Sequence, residues 1–197
     1  MSFWMQFVRP STSLPVWYQP PSPKYPDVYD LSIQGMGAIK TAMSVADLLD
    51  EATAAPELPR WEDFGLSVER WEELSDYWVY GSKPGQPTLA EALKPHERPA
   101  VAEYLTRFEA ATGQPAPPGK ALGYKFRTND GWLVTPDECR VIADGLEAAL
   151  AKRRAKLVRG LQARGYSDHS KESVADLLSP WAKYNRIAAD HGGYRIW

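Results

Sequence analysis

Three helix-start signals coincide at one point of this chain and limit what it can fold into. Thr135 can cap a helix through its hydroxyl, Pro136 suits the first helical position, and Glu138 falls where a capping box closes back on the cap. From there Ile142, Leu146, Ala149, Leu150, Leu157 and Leu161 recur at helical spacing, so the sequence predicts one long amphipathic helix from Thr135 to Gly165. Any fold must cover that apolar stripe. The first half of the helix carries Asp137, Glu138, Asp144 and Glu147, and the second half Lys152, Arg153, Arg154, Lys156, Arg159 and Arg164. Acids at the amino end and bases at the carboxyl end match the helix dipole, and bases spread around the helix read as a solvated face rather than a phosphate-binding one.

The other elements follow from punctuation and periodicity. Pro10, Pro15, Pro20, Pro21, Pro23 and Pro26 make 9–27 an extended, Pro-rich arm, which Trp17, Tyr18 and Tyr25 anchor on its own domain. Tyr29, Leu31 and Ile33 alternate as a strand does. Gly35-Met36-Gly37 then breaks the run, and Ile39, Ala42, Met43, Ala46 and Leu49 mark a helix from Ala38. Ser67 reads as the cap of a helix over 67–80 with Val68, Trp71, Leu74 and Trp78 buried, stapled by Leu66 to Trp71. Thr88 and Glu91 form a second capping box. A helix over 97–112 ends at Gly113, expected to be left-handed, and a last helix starts at Ser179-Pro180, buries Trp181, Tyr184 and Ile187 or Ala188, and stops at Gly192. The fold class is α+β: a mainly helical single domain over 1–197, with about six helices and a small mixed or antiparallel sheet drawn from 3–8, 29–33, 124–127 and 194–197.

Composition narrows the function classes. With 197 residues, 44% of them apolar, one stable core is affordable, and a formal charge of −2 argues against a nucleic-acid polymer as partner. A single cysteine, Cys139, excludes an internal disulfide and suits a reducing, cytoplasmic setting. Neither a signal peptide nor a membrane span is visible, so no membrane partner is expected.

Catalysis has no named actors. His96, His169 and His191 are isolated, and no metal-ligand spacing or cofactor motif appears. Cys139 sits where a staple partner of Val134 belongs, which favours burial over reactivity. Binding has better candidates. Gly35 and Gly37 open a helix whose backbone N–H groups can face an anion, with Lys40 one turn on. Arg127, Asn129, Asp130 and Trp132 flank a polar turn, and Gly192, Gly193 and Tyr194 close the chain. In this reading Arg127 pairs with charge while Trp132 and Tyr194 stack on a flat ring. The expected activity is non-enzymatic binding of a small, anionic, nucleotide-like molecule, without cofactor or metal. Two alternatives stay open: a protein-binding inhibitor docking through the arm and exposed tryptophans, and an enzyme built on His191 or His169. A homo-oligomer is compatible with either.

Ile33-Gln34-Gly35-Met36-Gly37 followed by Met43, Phe126-Arg127 with Asn129-Asp130-Gly131 before a helix, Trp181 to Tyr184, and Gly192-Gly193-Tyr194 with Ile196 together resemble a loose set of small uncharacterised proteins of bacteria and their phages. The resemblance implies an origin more than an activity. For a phage protein it implies sequestration of a host immune signalling nucleotide, or inhibition of a host protein.

Overall fold

The computed structural model describes residues 2–9, 28–79, 87–166 and 171–197. Most of the Pro-rich arm, and His169, lie outside the described residues. The chain is α+β and mainly helical, and it divides into two compact units, 1–55 with 115–197, and 56–114.

The larger unit is built on a four-stranded antiparallel sheet of β1 (Ser2–Phe7), β2 (Val28–Ser32), β5 (Trp132–Val134) and β6 (Tyr194–Ile196), in the order β2-β1-β6-β5. Phe3, Met5 and Phe7 of β1 are buried on one face, as a period of two requires. Against that face lies α7 (Lys171–Ala188), whose Trp181 and Tyr184 meet Tyr194 at ring-centroid distances of 5.7 and 5.2 Å, while Phe7 stacks on Tyr184 at 4.9 Å. Helix α5 (Pro136–Lys152) packs beside α7 and completes the core with Ile142, Ala143 and Leu146. Its start is as the sequence predicts: the Thr135 hydroxyl accepts from the Glu138 N–H, Glu138 answers to the Thr135 N–H, and Cys139 is buried beside Val134.

Several local readings are corrected. The fourth strand is not 124–127. Gly123, Tyr124, Lys125 and Phe126 are all buried and form one 3-10 turn, a pattern without the alternation of a strand, and Trp132–Val134 pairs with β6 instead. The helix after β2 begins at Ile33, not Ala38. Ser32 caps it by accepting the Gly35 N–H at 3.0 Å, so α1 (Ile33–Val45) carries both glycines inside it. Asp47, at φ 63, ends the turn after it, and Leu49 belongs to β3 (Leu49–Asp50), paired in parallel with β4 (Ala121–Leu122). The long helix breaks at Arg153, whose φ of −135 leaves helical space, so the basic half is a separate α6 (Arg154–Ala163). Helix α7 starts well before Ser179-Pro180 and carries Pro180 internally; the apolar face of Val174, Leu178 and Trp181 spans it and holds the helix together.

The smaller unit packs α2 (Val68–Val79), α3 (Leu89–Ala92) and α4 (Arg98–Thr112) around Leu66, Leu74 and Val101, with Trp71 against that cluster. Ser67 caps α2 through the Arg70 N–H, and the Thr88–Glu91 capping box is present. Val68, in the first turn, is exposed rather than buried, and Gly113 has φ −88 rather than a left-handed value. Arg70 grips Glu97 with two hydrogen bonds, Nε to Oε1 at 2.9 Å and Nη2 to Oε2 at 2.8 Å, and the Lys94 N–H donates to the same carboxylate. These contacts, the guanidinium first, hold the Glu97 carboxyl at about 2, down from 4.5. A depressed carboxyl stabilises the fold above its unfolded value and loses that contribution as pH falls through the folded one. The stability advantage of the parent over Glu97→Gln should therefore be complete above 4.5 and vanish towards about 2. Urea unfolding of both proteins across that range reads it, and a constant difference between them would refute the assignment.

Candidate functional site

The site is built where three separate elements bring charge to the end of β3. The Asp50 side chain accepts the Ala52 N–H at 3.0 Å and the Thr53 hydroxyl, which folds the chain after β3 into a turn and turns Glu51 outward. Arg127, directly after the buried 3-10 turn, donates from Nη2 to Glu51 Oε2 at 2.6 Å. Lys40 on α1 places Nζ 3.9 Å from the other carboxylate oxygen. Gly123 makes room for this: a Cβ there would come within 2.8 Å of the Glu51 carboxyl.

Burial lowers the affinity of Lys40 for its proton, Glu51 raises it, and the positive fields of Arg127 and Arg164 lower it again. Two cations thus meet one carboxylate, and the field of Arg164 reaches Lys40. Lys40 is one-quarter exposed and Arg127 about half, so the cluster is open to a ligand while its stems are packed.

No family model, curated protein or solved structure significantly matches this chain. The residues alone therefore carry the reading.

Of the residues singled out from sequence, the structure brings Lys40 and Arg127 together and removes others from any binding surface. Trp132 is 3% exposed, its indole N–H donates to the Thr128 hydroxyl at 2.8 Å, and its ring meets Tyr124 edge-on, so it is a core residue and not a stacking plane. Tyr194 is fully buried, with its hydroxyl donating to Asn185 Oδ1 at 3.2 Å. Burial pushes the Tyr194 phenol well above its ordinary value. Neither ring can receive a base, because each is already enclosed by protein.

Gly192 and Gly193, at φ 82 and 85, are a left-handed turn that swings the chain from α7 back into β6. Gly193 also passes so close to the Val134 carbonyl that a Cβ would collide with it, and its role is steric. Gly35 and Gly37 offer no free anion cradle: the Gly35 N–H is taken by Ser32, and Gly37 lies inside α1 under the Tyr166 hydroxyl. Asn129 and Asp130 are exposed in the turn before β5, where Gly131 at φ 79 gives its N–H to Ile196 and its carbonyl to Arg195. They form a strand entry.

The sequence reading missed Glu51 and Arg164. Arg164 was visible only as a base near a helix end, and nothing local marks Glu51, whose partner Arg127 is 76 residues away. His191 stacks its ring parallel to Phe7 at 5.2 Å, a packing role, and His96 is exposed. Burial raises the Cys139 thiol well above its ordinary value, which suits an inert core group. Among the described residues no three His, Cys, Asp or Glu side chains gather to hold a metal ion, and no helix is long and apolar enough to cross a membrane. In the smaller unit an open groove of about 570 Å³ is lined by Glu57, Arg60, Asp63 and Arg107. Its charges are balanced, and Arg107 is engaged by Glu103 and lies over the Phe64 ring, so no unmatched charge faces a ligand there.

Proposed function

We propose that this chain is a non-enzymatic binder of a small anionic molecule carrying phosphate or carboxylate groups, taken up at the Lys40–Glu51–Arg127 cluster. The observation that supports this reading is the excess of positive charge around Glu51. Arg127 presents a planar fork suited to an oxyanion, Lys40 adds a point charge, and Arg164 adds to the local field. Glu51 serves as the stand-in counter-ion that an incoming anion displaces. Recognition by stacking has no support, since Trp132 and Tyr194 are core residues, so the anionic group of a nucleotide-like ligand is the part this site would read.

The test is a thermal-shift and calorimetric screen of pyrophosphate, nucleotides and dicarboxylates against the whole protein. At a hundredfold excess over Kd a ligand should stabilise the fold by about 2.7 kcal/mol and raise Tm by about 5–10 °C. Arg127→Ala should abolish the shift yet leave the unliganded Tm within about 2–4 °C of the parent, because an exposed ion pair contributes about 1 kcal/mol or less. No shift with any of these anions would overturn the proposal.

A further inference from the structure

The contacts between α1 and α6 run in opposite order along the two helices. Gly37 lies under Tyr166, Lys40 feels Arg164, Val45 meets Gly160, and Asp47 feels Lys156 and Arg153. The helices are therefore antiparallel, and Gly160 under the Val45 side chain lets them approach closely, while Gly37 makes room for the Tyr166 hydroxyl. At the far end of this seam from Glu51 a second cluster repeats the first. Lys120 donates to the Asp47 carboxylate at 2.6 Å and to its carbonyl at 2.7 Å, and the positive fields of Lys156 and Arg153 favour the ionised form of the same carboxylate. Each end of the seam thus sets more than one cation against an acid: Lys40 and Arg127 against Glu51, with the field of Arg164 on Lys40, and Lys120 against Asp47, with the fields of Lys156 and Arg153. Lys156 and Arg164 are separated by about 12 Å along the α6 axis.

The charge of α6 and its flanks is also unmatched elsewhere. From Lys152 to Arg164 there are six bases and no acid, and Arg153, Lys156, Arg159 and Arg164 are exposed and form no ion pair among the described residues. The acids of α5 are already taken: Asp137 by Arg140, Glu138 by Lys125, and Asp144 and Glu147 by Arg186. The formal charge of −2 is an average that conceals this segregation.

We propose that the α1/α6 seam is a track for the phosphate backbone of duplex nucleic acid, held at both ends by these clusters and indifferent to base sequence. It rests on the reading of the Glu51 cluster as an anion site. A polyanion fits because exposed bases spread over about 12 Å of α6, between an acid-bearing cation cluster at each end, reward a ligand that repeats its charge. A membrane surface is disfavoured, since Leu157 and Leu161 are turned into the core and leave α6 no apolar face to insert. A single strand is disfavoured because Tyr166, at one end of the seam, is half-buried with its hydroxyl over Gly37 and offers no open plane for stacking.

Fluorescence anisotropy of a labelled random-sequence DNA duplex with the whole protein tests this. Neutralising about four phosphates predicts that affinity falls about 100-fold between 50 and 200 mM salt. Arg153→Glu/Lys156→Glu should weaken duplex binding on the order of tenfold or more while leaving the Tm rise caused by pyrophosphate unchanged. Both positions are exposed, and melting curves confirm that the variant folds. Duplex binding that responds to salt and to this variant supports the track even where pyrophosphate gives no shift, an outcome that counts only against the small-anion reading. A protein that takes pyrophosphate but not duplex, or whose duplex binding ignores the Arg153/Lys156 reversal, overturns the track and leaves the Glu51 site standing. Binding to phosphatidylserine vesicles in place of duplex also overturns it.

Discussion

Trp132→Ala should destabilise the protein by about 3–5 kcal/mol, as much as truncating Leu146 in the centre of α5. For a chain of this size that is a fall in Tm of about 6–20 °C. The cause is enclosure. Trp132 is 3% exposed, pairs with Ile196 in the sheet, lies edge-on to Tyr124 at 4.9 Å, and spends its one donor on Thr128. Removing it opens a cavity beneath the 3-10 turn that carries Arg127, so the anion site should loosen along with the fold. Melting curves of Trp132→Ala, Leu146→Ala and Arg127→Ala make the comparison. If Trp132→Ala melts with Arg127→Ala rather than with Leu146→Ala, the indole is not part of the core.

The second large effect belongs to a pair of charges in the interior. Lys125 is fully buried and Glu138 is 1% exposed, with Nζ 2.7 Å from Oε2. Burial lowers the affinity of Lys125 for its proton, and Glu138 opposes that shift without reversing it. Glu138 does more than balance the lysine: its Oε1 accepts the Leu122 N–H at 2.9 Å and its Oε2 the Thr135 N–H at 2.8 Å. Glu138→Ala strands two backbone donors and an ammonium at once and should cost about 3–5 kcal/mol. Lys125→Met leaves a carboxylate that still accepts two N–H groups and should cost measurably less. The double variant Lys125→Met/Glu138→Leu should not recover, because the amides of Leu122 and Thr135 remain without acceptors. Equilibrium urea unfolding ranks the three, and Lys125→Met proving as damaging as Glu138→Ala would reject this division of labour.

Elements governed by chemistry within a few residues were legible in the sequence. The Thr135–Glu138 and Thr88–Glu91 boxes, the Ser67 cap, the burial of Cys139 and the apolar face of Trp181 and Tyr184 all depend on neighbours one or two turns away. Misread segments are those where a distant partner overrides local preference. Gly35 and Gly37 look like a turn because glycine is a poor helix former, yet Gly35 lies close against the Leu31 and Ser32 side chains and Gly37 under the Tyr166 hydroxyl, where a Cβ would crowd them. Pro180 looks like a helix start, yet α7 keeps its course through it because its buried face spans the proline. At the site, Lys40 and Arg127 were recognisable as cations near turns, whereas their meeting at Glu51 is a product of the β3–β4 pairing and the 3-10 turn, which no local pattern records.

The position of β6 between β1 and β5 sets a clock on synthesis. β6 is synthesised roughly 190 residues after β1, so at ordinary elongation rates the gap in the sheet stays open for on the order of ten to forty seconds. During that interval the β1 edge that β6 will cover stays unpaired, with Phe3, Met5 and Phe7 uncovered. The nascent chain is thus a client for whatever binds exposed strand edges, and its yield is decided by how soon Tyr194 to Ile196 arrive to fill the gap.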